Sequence, residues 1–405
     1  MNKLAELSAA TVIGLSLNFI GTGEALAYSF TPITVSESSN PWFRNSVTSP
    51  SLNDNGTIAF WVYFQDSSEG LYTANNGSRN LLADTASSPV KFFIGGAGTP
   101  AINNQGTVAV YADLDNGGGG ILSFNGQSLT TIADGNGSFL SFPPSVAIND
   151  SGTVAFGAEL DTGNRGIFTS NGGTIKQVAE LPSRNPSSFY DPFAPRVAIN
   201  SSGTIGFTYW QNVDFELGYS ALYLNDSVVA DNSGKFELFG SPALNDQGKL
   251  TFFATLDSGN GGIFLYDGEQ IIDFANNNDN SYFKGFNFYD AAINNQDTVA
   301  FFAQQNLNDG TSYQGIFTGS NPQTDKVIGV GDELLGSKVK NLSFSSKGLN
   351  NLNQIAFYAE LENGSKGFFL ANPTPKSVPE PVSVFSLLAM GAYGLTLKRS
   401  QHKKA

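Results

Sequence analysis

The chain has 405 residues, a formal net charge of −14 and no cysteine. Disulfides and thiolate chemistry are therefore excluded. The single histidine, His402, lies near the C-terminus, so the rest of the chain contains no Ser-His-Asp triad and no histidine base. Structural zinc, which takes Cys or His, is not expected, and an acidic chain does not favour nucleic-acid phosphates. We expect no cofactor, no metal and no nucleic-acid partner.

Glycine and phenylalanine dominate the composition. There are 45 Gly and 33 Phe, and the Gly fraction exceeds the ~7% of an average protein. Short clusters of Gly with Asn, Asp and Ser indicate many turns. Phenylalanine supplies rigid apolar mass for a core. The composition predicts an all-β fold built from short strands.

Residues 1–27 predict a secretory signal peptide. A lightly charged start precedes the apolar stretch SAATVIGLSLNFI, and Ala25-Leu26-Ala27 forms a small-x-small cleavage site. We assign the cleavage signal to Ala25 and Ala27. A buried helix is the alternative interpretation. The signal predicts that the body is exported across the inner membrane.

One phrase recurs seven times along the body of the chain. The copies are SLNDNGTIAF, AINNQGTVAV, AINDSGTVAF, AINSSGTIGF, ALNDQGKLTF, AINNQDTVAF and GLNNLNQIAF. Their turn position falls on Gly56, Gly106, Gly152, Gly203, Gly248, Asp297 and Asn353. The resulting period, close to 50 residues, is typical of propeller blades and not of helical repeats.

Residues 145–180 show the plan of one unit. A short apolar strand ends at Ile148, and Asn149–Gly152 forms a tight turn in which Asn and Asp cap backbone groups. Thr153–Leu160, Gly166–Thr169 and Ile175–Ala179 are three further strands separated by turn residues. Four antiparallel strands make one propeller blade.

The seventh unit departs from this plan because Pro373 and Pro375 follow its third strand directly. Residues 30–37, before the first unit, read as the missing fourth strand. We expect them to pair with the strand at 367–371, which would remove two exposed sheet edges. Pro32 suits an outer edge, where no ladder N–H is needed. The sequence thus predicts a seven-bladed β-propeller over residues 28–372, with an open β-solenoid as the alternative.

The end of the chain predicts a membrane segment. Residues 373–381 form a Pro-rich linker, and residues 382–397 are an apolar run followed by the basic residues of 398–405. A helix of this run spans ~24 Å, which is short against the ~20 residues of a full crossing. Lys and Arg beyond it stay on the cytoplasmic side. We therefore predict a transmembrane helix at 382–397 and a basic cytoplasmic tail.

The order of Pro379-Glu380-Pro381, an apolar helix and a basic end resembles the PEP-CTERM sorting signal of Gram-negative bacteria and cyanobacteria. The resemblance implies an exosortase-type membrane protease as partner, which cuts near the motif and passes the protein to the cell surface. It also implies a precursor anchored in the inner membrane, and then a cell-surface or extracellular-matrix location. A C-terminal anchor without processing is the alternative.

The repeat phrase also resembles the Asp-box turn of sialidase propellers, as in Asn53-Asp54-Asn55-Gly56-Thr57. The match is partial, because Ile58, Ala59 and Phe60 stand where the Asp box continues with Thr and Trp. A sialidase-like site would also need clustered arginines, and the arginines here are scattered over the repeats.

Candidate binding residues lie in three insertions, at 181–195, 212–218 and 276–290. Aromatic rings stack on sugars and anchor protein interfaces, and we select Tyr190, Phe193, Tyr282, Phe288 and Tyr289. These residues predict a non-catalytic protein that binds exopolysaccharide or a surface protein through a propeller face.

The alternative function is a secreted carbohydrate-active hydrolase, which needs only two carboxylates. Its candidates are Glu69, Asp113, Glu159, Glu216 and Glu360. Turns such as Leu114-Asp115-Asn116-Gly117 offer oxygen ligands, but none matches a calcium loop, and we read them as side chains that bond their own turns.

The two terminal signals predict a processed mature protein. Mass spectrometry of the native protein should find an N-terminus at Tyr28 and a C-terminus close to Pro379-Glu380-Pro381. A C-terminus at Ala405 would instead support an unprocessed anchor.

Overall fold

The computed structural model describes residues 27–39, 41–46, 49–92, 98–126, 128–183, 195–213, 216–278, 282–307 and 311–374. Over these residues the chain is all-β and forms seven antiparallel sheets. No helix in these ranges is long and apolar enough to span a membrane. Ala25, the Pro379-Glu380-Pro381 motif and the predicted transmembrane helix lie outside the described residues.

Each sheet is one blade, and the strands follow the chain order. Strand β1 (Ala27–Ser36) precedes the first blade. Blade 1 contains β2 (Asn45–Ser46), β3 (Ser51–Leu52), β4 (Ile58–Tyr63), β5 (Glu69–Asn75) and β6 (Ser78–Asp84). Blade 2 contains β7 (Val90–Phe92), β8 (Ala101–Ile102), β9 (Val108–Leu114), β10 (Gly119–Phe124) and β11 (Leu129–Asp134). Blade 3 contains β12 (Phe139–Ser141), β13 (Val146–Ile148), β14 (Val154–Leu160), β15 (Arg165–Ser170) and β16 (Ile175–Leu181).

In blades 4 to 6 the first strand is continuous, and in blade 7 it is broken. Blade 4 contains β17 (Arg196–Ile199), β18 (Ile205–Val213), β19 (Glu216–Leu224) and β20 (Ser227–Asp231). Blade 5 contains β21 (Phe236–Leu244), β22 (Leu250–Leu256), β23 (Gly261–Tyr266) and β24 (Ile271–Asn276). Blade 6 contains β25 (Phe283–Ile293), β26 (Val299–Asn306), β27 (Ser312–Phe317) and β28 (Lys326–Gly329). Blade 7 contains β29 (Glu333–Leu334), β30 (Ser337–Ser343), β31 (Ile355–Leu361) and β32 (Lys366–Thr374).

The two faces of the ring differ in the turns they carry. In every blade the first strand is innermost and runs into a turn that begins with Asn, and we call the side with these turns the Asn-turn face. The opposite side, where the second strand turns into the third and where one blade connects to the next, is the loop face. The turn position of all seven units has positive φ, between 58° and 85°. Asp297 and Asn353 adopt this conformation without being glycine, as their side chains allow.

The ring closes through the N-terminal strand, as the sequence predicts. Strand β1 pairs antiparallel with β32, from Ala27 opposite Thr374 to Ser36 opposite Lys366. It forms the outer edge of blade 7. The ladder shifts register between Pro32 and Thr34, and such a bulge accommodates a proline that donates no ladder hydrogen bond. Both ends of the described chain therefore lie side by side at the outer edge of one blade.

The core is divided among the blade interfaces. Seven hydrophobic clusters each draw buried residues from two neighbouring blades. The cluster between blades 7 and 1 contains Phe43 and Phe60 from blade 1, Phe368 from blade 7 and Ile33 from the closing strand. Burial of Ile33 stabilises the closure in addition to the ladder hydrogen bonds.

Two of the expected insertions are in part regular structure. Residues 212–218 extend a hairpin, in which Val213 pairs with Glu216. Residues 283–290 belong to the long strand β25. The interpretation as irregular loops was therefore wrong for the paired residues 212–213, 216–217 and 283–286. The register with β26 shifts between Phe286 and Ala291, so residues 287–290 depart from the regular ladder. The third insertion lies between Leu181 and Arg196, and most of it is outside the described residues.

The recurrent glycine at the start of the third strand is explained by close packing. A Cβ added at Gly367 would overlap the carbonyl oxygen of Thr34, and one at Gly166 would lie 2.7 Å from that of Ala179. The fourth strand bulges near this point, with a register shift between Ile167 and Phe168 in blade 3. The glycine therefore lets the outermost strand approach.

We expect Gly367→Val to loosen the closing strand and lower stability by about 1–3 kcal/mol, as overpacking does. Gly173→Val is the matched control, because nothing lies within 4 Å of a Cβ at Gly173. Thermal unfolding followed by circular dichroism measures both variants. Equal melting temperatures for Gly367→Val and the wild type would contradict the steric role.

Candidate functional site

Seven asparagines form a closed ring of hydrogen bonds at the centre of the Asn-turn face. The Nδ2 atom of each donates to the backbone carbonyl of the corresponding residue in the next blade, at 2.9–3.2 Å. The last bond runs from Asn350 in blade 7 to Asn53 in blade 1 at 3.0 Å. The ring, which we call the Asn collar, consists of Asn53, Asn103, Asn149, Asn200, Asn245, Asn294 and Asn350.

Each collar side chain also holds its own turn. In blade 3 the Oδ1 atom of Asn149 accepts hydrogen bonds from the backbone N–H groups of Ser151 and Thr153. Aspartate could accept the same bonds but has no donor for the next blade. This dual requirement explains why all seven units carry Asn at this position. The sequence analysis recognised the cap and missed the bond between blades.

A second ring lies one residue further along each turn. Asp54, Asn104, Asp150, Ser201, Asp246, Asn295 and Asn351 occupy its seven positions. Six of the seven backbone N–H groups donate to a side-chain oxygen in the next blade, at 2.7–2.9 Å. Asn104 additionally donates to the carboxylates of both Asp54 and Asp150. Because amides or serine stand between the three carboxylates, no two of them are neighbours.

The two rings line a central cavity of about 170 Å³. Its wall consists of three residues from each Asn turn, beginning with an aliphatic residue such as Leu52 or Ile102. Burial acts to raise the pKa of Asp246, but hydrogen bonds from Ser201 and Asn295 outweigh it and hold that pKa below its usual value. The cavity therefore presents amide and carboxylate groups that already bond one another.

Metal-binding geometry is absent from the part of the chain that the structure describes, where no group of three or more His, Cys, Asp or Glu residues could hold an ion. The turns with Asp115, Asp161 and Asp257 are closed by hydrogen bonds between backbone groups. In the first, the N–H of Gly117 donates to the carbonyl of Leu114, and Gly117 has a φ of 92°.

Lys347 crosses the channel below the Asn collar. Its Nζ atom donates to the carbonyl oxygens of Thr99 at 2.9 Å and Val146 at 2.7 Å. Lys347 belongs to blade 7, whereas these carbonyls belong to blades 2 and 3 on the far side of the axis. Burial and the nearby positive charge of Arg196 lower the pKa of Lys347 to about 7.

Lys347 was also missed by the sequence analysis, although the repeat contains a signal. The other units place Pro50, Pro100, Val146, Val197, Pro242 and Ala291 at this position, three residues before the collar asparagine. A single lysine among apolar residues marks the one unit that differs.

Exposed apolar side chains concentrate on the loop face. Eight large hydrophobic residues are exposed among those that the structure describes. Five of them lie at loop-face turns or strand ends: Phe92, Leu140, Tyr282, Leu307 and Leu335. Leu352 is on the Asn-turn face, and Leu81 and Val228 lie on outermost strands. The loop face is thus the apolar one.

The predicted aromatic residues have different outcomes. Tyr282 is 52% exposed on the loop face, next to the start of β25. Phe288 and Tyr289 lie within β25. Tyr190 and Phe193 lie outside the described residues, so their placement in the site stays a prediction.

Three of the five candidate carboxylates are engaged within their own blades. Glu159 and Arg165 form a buried ion pair, with Oε2 and Nε 3.2 Å apart. Glu360 pairs with Lys340 at 3.0 Å, and Asp113 accepts a hydrogen bond from the hydroxyl of Tyr111 at 2.7 Å. Glu69 is buried. Glu216 begins β19.

The fold and its collar define a seven-bladed β-propeller whose blades are joined at the axis by asparagine side chains. Within that class, the chain belongs to the DUF7453 family, a family of unknown function, whose model matches residues 128–368, more than half of the chain. No curated protein matches the chain.

The chain is similar to several solved structures at low identity. AofleA from Arthrobotrys oligospora is 12% identical, with coverage of 77% of this chain and 89% of its own and a TM-score of 0.42. YCF48 bound to D1 peptide is 12% identical, with coverage of 87% and 98% and a TM-score of 0.39. TolB from Acinetobacter baumannii is 13% identical, with coverage of 79% and 76% and a TM-score of 0.37. Likeness of this degree does not extend to ligand or activity.

We expect Asn149→Asp to destabilise the fold by about 1–3 kcal/mol, because a buried carbonyl loses its donor and faces a carboxylate instead. Chemical denaturation measures the change in the free energy of unfolding. Asn171→Asp, an equally isosteric change at an exposed residue of the same blade, should have little effect. Equal losses in the two variants would show that the Asn collar does not couple the blades.

Proposed function

We propose that this chain is a non-catalytic cell-surface or extracellular-matrix protein that binds exopolysaccharide or a surface protein through its loop face. The observation that carries the proposal is the concentration of exposed apolar side chains on that face. Scattered apolar residues are ordinary on protein surfaces, whereas their grouping on one side indicates an interaction surface. Tyr282 is the strongest candidate contact, because an exposed ring can stack on a sugar or fill a partner's pocket.

The positions of the strand ends favour the same face. Thr374 and Ala27 pair at the end of blade 7 that adjoins the Asn-turn face. A C-terminal membrane anchor would therefore leave the propeller on that side. Such an anchor holds the Asn-turn face towards the membrane and directs the loop face away from it, where extracellular ligands are available.

Export and sorting belong to the same proposal. The signal peptide directs the chain across the inner membrane, and an exosortase-type protease acts at Pro379-Glu380-Pro381. Cleavage after Ala27 would remove only the first residue of β1 and leave Tyr28–Ser36 to close the ring. The predicted processing is thus compatible with the closed fold.

The contacts of the carboxylates support a binding role. Glu159 is neutralised by a buried arginine and Glu360 by a lysine. A glycosidase requires a pair of carboxyl groups that are available to the glycosidic bond, and these two lie in blades 3 and 7. We therefore propose binding without hydrolysis.

Tyr282→Ala should weaken binding to the purified exopolysaccharide of the host by about threefold to tenfold, as expected for the loss of one stacking contact. Surface plasmon resonance on immobilised polysaccharide measures the affinity, and a reducing-end assay on the same material should detect no cleavage.

Leu352→Ala is the matched control, since it removes an exposed apolar side chain from the Asn-turn face. The control should bind like the wild type. Equal weakening in both variants would contradict the assignment to the loop face, and release of reducing ends would favour the hydrolase.

A further inference from the structure

Eight Asn-Gly pairs occur along the chain, and each is a potential site of chemical modification. The glycine nitrogen can attack the side-chain amide carbon of the asparagine, because no Cβ shields it. The glycine N–H proton is given up, the bond between Cγ and the amide nitrogen breaks, and that nitrogen leaves as ammonia. Water then opens the resulting succinimide ring to aspartate or isoaspartate. The pairs begin at Asn55, Asn76, Asn116, Asn125, Asn136, Asn171, Asn260 and Asn363.

Four of the pairs are held at the attacking nitrogen. In three of them the glycine N–H donates to the carbonyl oxygen of the residue three positions earlier, at 2.9–3.1 Å. These glycines are Gly56, Gly117 and Gly364. In the fourth, the N–H of Gly261 donates to Oδ1 of Asn277 at 2.7 Å. The nitrogen must give up this hydrogen bond before it can attack, so the fold opposes the reaction at all four pairs.

Two further pairs are held at the asparagine. The Oδ1 atom of Asn125 accepts hydrogen bonds from the backbone N–H and the hydroxyl of Ser128, at 2.9 and 3.3 Å. The Nδ2 atom and the backbone N–H of Asn136 donate to the carboxylate of Asp134, at 3.2 and 3.0 Å. These hydrogen bonds direct each side-chain amide away from the nitrogen of the following glycine.

The two remaining pairs, Asn76-Gly77 and Asn171-Gly172, are free at both groups. Among the residues that the structure describes, no hydrogen bond engages either asparagine side chain or either glycine N–H. Both asparagines are exposed. Nothing lies within 4 Å of a Cβ built at Gly77 or Gly172, which leaves room for the succinimide ring.

We propose that Asn171 and Asn76 are sites of spontaneous deamidation in the folded protein. The reaction consumes only water, and each event replaces a neutral amide with a carboxylate. Both asparagines lie in turns that join the third and fourth strands of a blade, on the side opposite the loop face. The modification therefore adds negative charge to the protein and leaves the proposed binding face unchanged.

The two turns differ in length. Asn171 lies in the four-residue loop between the paired residues Ser170 and Ile175. The other turn has two residues, between Asn75 and Ser78. A longer loop leaves the backbone more freedom to reach the geometry of attack, whereas a two-residue hairpin turn is fixed by its strands. We therefore expect Asn171 to react faster than the asparagine of blade 1.

Incubation of the folded protein in mildly alkaline buffer, followed by peptide mass spectrometry, tests the assignment. Water labelled with heavy oxygen marks each new carboxylate. Asn171 and Asn76 should deamidate roughly tenfold faster than the four pairs held at the nitrogen, the factor expected when one hydrogen bond must break first. The same measurement on the chain unfolded in urea is the control. There the eight pairs should react at similar rates, because the hydrogen bonds are lost.

Asp134→Ala tests the role of the side-chain hydrogen bonds directly. It removes the acceptor for Asn136 without altering that Asn-Gly pair, both of whose residues are exposed. Deamidation at Asn136 should rise several-fold in the folded variant, towards the rate at Asn171. Asn125 in the same blade is the internal control, and its rate should not change.

Equal rates at all eight pairs in the folded protein would overturn the assignment, because sequence alone would then decide the reaction. Faster deamidation at any held pair than at Asn171 would overturn it as well. An unreactive Asn171 in the folded protein, together with reaction in urea, would show that the turn itself protects the amide. An unchanged rate at Asn136 in Asp134→Ala, with the fold confirmed by circular dichroism, would contradict protection by side-chain hydrogen bonds.

Discussion

The Asn collar is the constraint on which the rest of the structure depends. Each bond joins one blade to the next, and the seventh returns to the first, so the ring is complete only with seven units. The collar also fixes the depth of every inner strand, because each side chain holds its own turn and the neighbouring backbone at once. Outward from the axis, the hydrophobic clusters between blades can then pack in a common register. The closing strand pairs with blade 7 at the periphery, away from the collar asparagines.

The ring is closed both at its axis and at its rim, and this affects how its two faces can be used. The axis is fixed by side-chain bonds on the Asn-turn face, and the rim is fixed by pairing of β1 with β32. Turns on the Asn-turn face are therefore committed to the fold. The loop face has no comparable ring among the described residues, so its turns can vary in length and carry exposed apolar groups. The two faces therefore differ because the hydrogen bonds that close the ring at the axis lie on the Asn-turn face.

Much of the fold could be predicted from the sequence, because the turn residues of each repeat define where its strands begin and end. Short-range pattern predicts the positive φ at Gly56 and its equivalents and the strand order within a unit. It also predicts that a strand from the N-terminal end completes the last blade. The site could not be predicted in the same way. The donor role of Asn149 concerns a carbonyl 51 residues away, and Lys347 bonds to Val146 across 201 residues. Such contacts depend on how the blades are arranged around the axis. The repeat period predicts a ring but does not specify which side chains meet across it. The pairing of Glu159 with Arg165 was similarly hidden, since surface carboxylates at strand ends are ordinarily solvated.

The channel also separates charge along its axis. Carboxylates that accept hydrogen bonds from neighbouring turns surround the end at the Asn-turn face. Lys347, which has no carboxylate partner among the residues that the structure describes, reaches across the interior. Stability alone would favour an apolar residue at position 347, as six of the seven units have, because a desolvated ammonium opposes folding. The hydrogen bonds of Lys347 to the carbonyls of Thr99 and Val146 join blade 7 to blades 2 and 3 across the axis, a connection that an apolar residue cannot make. The asymmetry of a single repeat thus adds a contact across the axis to the contacts that every blade makes with its neighbours.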